Sequence, residues 1–285
     1  MALGNLAQRA LVAVVAVPVV LAILYLDRPE PTFALIFAAA VIAMNEFFAM
    51  TVDDAGNRRA GVVLGAIACA ALYWLHPLAL RGQLADSHLA QVAAAIGPTL
   101  APVLAVVPAM LYFLFRYGDM TKAAARTTGT ITGIVYAGFL TMFLALTRRE
   151  FGGDAVVLIL LVAWIGDTGA YFAGRFLGKT KLYEAVSPKK TWAGAIGGLA
   201  GSAVAVGVMK LVRMEELSWI DVIAIAIPGA ILGQLGDLAE SLLKRSVGVK
   251  DSGALLPGHG GMLDRIDAVL FIAPYVYAYL WFTLS

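Results

Sequence analysis

Long apolar runs separated by short polar breaks constrain this chain more than any other feature. Nine stretches read as bilayer crossings, near residues 7–26, 32–50, 60–78, 89–115, 130–147, 155–174, 192–212, 219–243 and 265–284. A hydrocarbon core of about 30 Å takes roughly 20 residues of α-helix. Open-edged strands are excluded there, because lipid leaves their backbone groups unsatisfied. A β-barrel would alternate polar and apolar residues, and these runs do not. Apolar residues make up 61% of the 285 and charged residues 14%, against about 45–50% and 25% in soluble domains. A soluble globule has too little interior for that much hydrocarbon. A soluble enzyme, a disordered chain and a nucleic-acid binder are therefore excluded. The expected fold is all-α, a polytopic integral membrane protein with about nine transmembrane helices.

The polar breaks orient it. The first run, Ala10 to Leu26, is too long for a signal peptide, and Asp27-Arg28-Pro29-Glu30 follows in place of a cleavage site. It reads as a retained span. Of the 21 Lys and Arg, 15 lie at the N-terminus or in loops after the even-numbered spans, where Lys189, Lys190, Lys244 and Lys250 are found. The other six are Arg28, Arg81, Arg148, Arg149, Lys210 and Arg213. The positive-inside rule then predicts a cytoplasmic N-terminus and an outer C-terminus. The fourth run is long and holds Pro98, Pro102 and Pro108, which predicts a kink, a tilt or a re-entrant piece. Cys69, the single cysteine, reads as a small buried apolar residue.

Chemistry is unevenly spread. Residues 1–150 form an N-terminal region of about five spans, poor in polar groups. Residues 151–285 form a C-terminal region of about four spans with cytoplasmic loops 175–191 and 244–265. In the first region Glu46, near the end of a span, is expected to reach the interface or to pair structurally. In the second, Asp167, Tyr171 and Arg175 recur at i, i+4 and i+8 and share a helix face. Ser187-Pro-Lys-Lys-Thr-Trp192 leads into a glycine-rich span. Its lysines and hydroxyls suit phosphate oxygens, and Ser187 and Pro188 suit the cap and first turn of the next helix. The spacing Gly194, Gly197, Gly198, Gly201 lets helix backbones approach, within one chain or between two, so a homodimer stays open. Asp237, Glu240, Ser241 and Lys244 fall on one helix face. Lys250 to Gly261 mixes charge, Pro257, His259 and glycines, a composition for cradling phosphate. Carboxylates beside basic groups imply a bridging cation, and oxygen ligands suit Mg²⁺.

The stretch Ser241-x-x-Lys244-Arg245-x4-Lys250-Asp251-x-Gly253-x3-Pro257-x-His259-Gly260-Gly261-x-x-Asp264-Arg265-x-Asp267 resembles the signature of phosphatidate cytidylyltransferases, or CDP-diacylglycerol synthases. Asp167-Thr-Gly-Ala-Tyr171 and Ser187-Pro-Lys-Lys-Thr-Trp192 also look like blocks of that family. Ala193 departs from it, since relatives often carry Glu or Gln there.

The resemblance implies CTP and phosphatidate as substrates, giving CDP-diacylglycerol and pyrophosphate in phospholipid biosynthesis. It implies Asp237 and Asp264 as primary Mg²⁺ ligands, and a K⁺ nearby. Asp167, Glu240, Asp251 and Asp267 are candidates for supporting those ligands, for a second cation or for orienting lysines. Lys190, Lys244, Arg245, Lys250 and Arg265 are expected to hold phosphates, with Ser241 and His259 in the catalytic set. Ser187, Lys189, Thr191, Gly260 and Gly261 are expected to bind the nucleotide. The expected setting is a bacterial plasma (inner) membrane, with the site facing the cytoplasm. A CTP-dependent polyprenol or phytol kinase is the nearest alternative. An ion-coupled transporter using Glu46, Asp167 and Asp237 is the alternative of a different class.

Overall fold

The computed structural model describes residues 5–75, 88–116, 118–253 and 260–284, without the side chains of 5–13, 15 and 88–99. The helices are α1 (Asn5–Leu24), α2 (Glu30–Thr51), α3 (Ala55–Trp74), α4 (His88–Phe115), α5 (Ala123–Gly133), α6 (Leu140–Leu177), α7 (Trp192–Val212), α8 (Trp219–Ser246) and α9 (Leu263–Leu284). A π-helical turn, Ile134–Phe139, joins α5 to α6. Two short strands, β1 (Lys181–Tyr183) and β2 (Ser187–Thr191), pair antiparallel between α6 and α7. The protein is thus nearly all-α. Among the described residues five helical segments are long and apolar enough to cross a membrane: Glu30–Thr51, Met120–Leu177, Trp192–Val212, Trp219–Ser246 and Leu263–Leu284. The proline-bearing fourth run is one helix of 28 residues. The expected gap between spans at 147–155 is a kink at Gly152, where φ is +84°, a conformation glycine adopts without steric cost.

The chain forms two compact units. One holds Arg28–Leu146 and Ser252–Leu263. Its core is an apolar face of α2 (Ala40, Ala43, Met44, Phe47, Phe48) against Ala68, Cys69 and Tyr73 of α3, all buried. Aromatic bulk sits opposite missing side chains: a Cβ on Gly133 would stand 2.7 Å from the Phe47 ring, and one on Gly138 would stand 2.9 Å from the Cys69 sulfur. Asp54 caps α3 by accepting from the Asn57 amide at 2.8 Å.

The other unit holds Met1–Asp27, Thr147–Asp251 and Asp264–Ser285. Here α7 lays its small residues on α6. A Cβ on Gly197 would lie 2.7 Å from the Gly169 carbonyl oxygen, and one on Gly201 would lie 2.5 Å from that of Ile165. Ser202 seals the contact by donating to the Val162 carbonyl at 2.9 Å. The glycine stripe is therefore used within the chain. With 21 residues, α7 is about 32 Å long, enough for a bilayer core. Beyond its C-terminal end Asp154 accepts from Arg213 Nε at 3.0 Å and from the Tyr25 hydroxyl at 2.5 Å. At its N-terminal end lies the site.

Candidate active site

The ribbon places the lysines. Thr191 closes β2 and caps α7, its hydroxyl accepting from the Gly194 amide at 3.1 Å. The expectation that Ser187 caps this helix is corrected: α7 starts at Trp192, and Ser187 pairs with Tyr183 in the ribbon. Pro188 lies in β2, where a two-stranded ribbon tolerates a missing amide donor. Lys181 braces the hairpin, donating to the Pro188 carbonyl at 2.6 Å. This leaves Lys189, Lys190 and Thr191 lining a cavity of about 370 Å³, within the range of small-molecule pockets.

Two helices supply the rest of the wall. Asp167, Tyr171 and Arg175 of α6 line it together, as their spacing predicts, and α8 adds Gln234 and Asp237. Arg175 donates to the Tyr171 hydroxyl at 2.7 Å. Lys190 Nζ lies 2.8 Å from Asp237 Oδ2 and 3.4 Å from the Gln234 carbonyl oxygen. Asp167 and Asp267 are both near enough to Asp237 for their charges to interact. Three carboxylates and one lysine thus share a small volume.

A second cluster continues along α8. Lys244 donates to Glu240 Oε2 and, at 2.6 Å, to Asp264 Oδ1. Their side chains are 12%, 1% and 9% exposed. Ser241 Oγ reaches Asp237 Oδ1 at 3.3 Å, joining the two clusters. The expected face of Asp237, Glu240, Ser241 and Lys244 is present. A close helix approach places Asp267 beside it: a Cβ on Gly236 would lie 2.6 Å from the Asp267 carbonyl oxygen.

Other expected site residues do not line this cavity. Ser187 is outside the cavity lining. Arg245, Lys250, Asp251 and Arg265 are exposed, and Arg245 contacts the Val249 carbonyl at 3.5 Å. Gly260, with φ +78°, and Gly261 belong to the unit of Arg28–Leu146. His259 lies outside the described residues.

A model of the cytidylyltransferase family matches residues 7–283. The chain belongs to this family. Similar proteins include the phosphatidate cytidylyltransferase of Brucella suis biovar 1, 46% identical over 149 residues, which are 52% of this chain and 55% of that protein. That of Staphylococcus saprophyticus is 42% identical over 170 residues, 58% of this chain and 65% of its own length. That of Thermotoga maritima is 36% identical over 186 residues, 63% and 68%. The chain spans about half the length of the Brucella relative it matches.

In this family member the carboxylates fit a hard cation by donor chemistry. Among the described residues no group of three or more His, Cys, Asp or Glu is arranged to hold a metal. Mg²⁺ needs only one or two protein carboxylates when substrate phosphates and waters complete its shell. Lysine ammonium groups now lie against Asp237 and Asp264, and Glu240 Oε1 is buried with no hydrogen-bond partner.

Sequence reasoning missed Gln234, the one amide in α8, three residues before Asp237 on its face; its side chain donates to the Ala195 carbonyl at 3.2 Å. It also missed what Glu46 holds. That acid was expected to reach the interface or to pair structurally; it pairs, accepting from backbone amides 216 and 217 residues away.

Proposed function

We propose that this chain is a phosphatidate cytidylyltransferase, joining CTP and phosphatidate into CDP-diacylglycerol and pyrophosphate at the cytoplasmic face of a bacterial inner membrane. The observation that carries the reading is the juxtaposition of Lys190 and Asp237 in a cavity that Asp167, Lys189 and Arg175 also line. Family membership supports the nucleotide, and the names of the relatives support the lipid acceptor. The distribution of Lys and Arg favours nine spans with the N-terminus in the cytoplasm. A homodimer would use a surface other than the α7 glycines, which α6 already covers.

The reaction asks a lipid phosphate oxygen to attack the α-phosphorus of CTP while pyrophosphate leaves in line. Such a step depends on positioning and charge neutralisation more than on covalent help. Lys189 and Lys190 bring ammonium groups to one wall and bind triphosphate oxygens. Tyr171 and Arg175, joined by a hydrogen bond, orient phosphate from α6. Asp237 and Asp264 would hold Mg²⁺, which neutralises charge on the reacting phosphates. A second cation, K⁺, would draw on Asp167 and Asp267. Lys190 and Lys244 hold Asp237 and Asp264 in place until nucleotide arrives, then turn to its phosphates. Glu240 holds Lys244, and Ser241 fixes the Asp237 rotamer.

The test is turnover of CTP labelled at the α-phosphorus by the purified full chain in detergent, with and without phosphatidate and Mg²⁺. Labelled CDP-diacylglycerol formed with equimolar pyrophosphate, only when both are present, is the expected result. Release of CDP with phosphorylation of a lipid alcohol would replace this reading by a lipid kinase. No nucleotide chemistry from folded protein would overturn it.

A further inference from the structure

Glu46 sits near the end of α2, 206 residues before Ser252, whose hydroxyl it meets. It is 7% exposed. Its Oε1 accepts from the Met262 amide at 2.9 Å. Its Oε2 accepts from the Leu263 amide at 2.8 Å and from the Ser252 hydroxyl at 3.3 Å. Two glycines make room for it. A Cβ on Gly253 would stand 2.5 Å from Oε1, and one on Gly261 would stand 2.6 Å from Oε2. One buried carboxylate therefore binds both ends of the segment 252–263, with Pro257 and His259 between the ends. Hydrogen bonds to an ionised acceptor are about twice as strong as neutral ones. The N-terminal end of α9 adds its dipole to the attraction.

We propose that Glu46 is a positioning residue for the reaction: it clamps residues 252–253 and 261–263 to one carboxylate and fixes where α9 begins. Asp264 and Arg265 follow at once in the first turn of α9, so the clamp sets the backbone from which both side chains project. The segment's glycines at 253 and 261 then have a steric purpose, because any side chain there would expel the carboxylate. The catalytic part of this proposal rests on the cytidylyltransferase reading; the clamp itself does not.

The test compares the full-length wild type with Glu46→Ala and Glu46→Gln, purified in detergent, by two readouts. The first is hydrogen exchange of the amides of Met262 and Leu263. The second is steady-state kinetics with CTP, phosphatidate and Mg²⁺. Loss of charge-assisted bonds should speed exchange about tenfold or more in Glu46→Ala. Displacement of α9's first turn should lower kcat about a hundredfold, with KM for CTP nearly unchanged and more Mg²⁺ needed for half-activation. Glu46→Gln keeps one acceptor and the same shape, so it should fall between the two, and it carries the test if Glu46→Ala does not fold. Unchanged exchange in the variants overturns the clamp. Faster exchange with kcat and Mg²⁺ dependence unchanged overturns the positioning role and leaves a structural contact. Faster exchange in a protein whose wild type shows no cytidylyl transfer supports the clamp and overturns the proposed activity instead.

Discussion

Ionic clusters stand at both ends of α7, and they differ in what surrounds them. Beyond its C-terminus, Asp154 accepts from Arg213 Nε and Nη2, at 3.0 and 3.3 Å, and from the Tyr25 hydroxyl. That cluster is one acid, one base and one phenol. At the N-terminal end, Lys190 and Lys244 lie among Asp167, Asp237, Glu240, Asp264 and Asp267. Acids outnumber bases there, an acidic oxygen is left buried without a partner, and a cavity opens beside them. An ion pair alone therefore marks nothing in this fold. An unbalanced cluster beside open volume suits further charge, which the proposed cation and the phosphates of the proposed substrates would supply.

Breaking the two ends separately sharpens that contrast. The largest effect is expected for Asp237→Asn, which removes a charge at the cavity wall; CDP-diacylglycerol formation should fall on the order of a thousandfold, measured as initial rate at saturating CTP. Next is Lys244→Met. It leaves Glu240 and Asp264 buried without their base, a loss of about 3–5 kcal/mol, read as a lower thermal midpoint in detergent. A smaller effect follows from Gly201→Ala, whose methyl meets the Ile165 carbonyl oxygen at 2.5 Å. Backbone cannot yield as a side chain can, so the α6–α7 contact should loosen by about 1–3 kcal/mol in the same melting measurement. The smallest belongs to the far end: Asp154→Asn should cost no more than about 1 kcal/mol, because half-exposed pairs are weak, and should leave turnover within about twofold.

The sequence carried some of this and not the rest. Helices were legible because lipid demands long apolar runs, and the glycines of α7 were legible because close packing needs missing side chains. The shared face of Asp167, Tyr171 and Arg175 followed from helical period alone. The ribbon was not legible: Ser187-Pro188 reads as a helix start, yet pairing with Lys181–Tyr183 moves the cap to Thr191. Helical period on α8 predicted the face that bears Asp237 and Lys244, but not that Lys190 would reach it across from β2. Glu46 shows the same limit. Its cost inside a span was visible, while its partners, more than 200 residues away, were set by tertiary packing that no local pattern encodes.

The most direct test puts both ends of α7 in one assay. Asp237→Asn and Asp154→Asn, purified in parallel and shown to be folded, are compared for phosphatidate-dependent release of pyrophosphate from CTP. The account predicts near-normal turnover from Asp154→Asn and almost none from Asp237→Asn. Equal losses in the two variants, or normal turnover from Asp237→Asn, would contradict it.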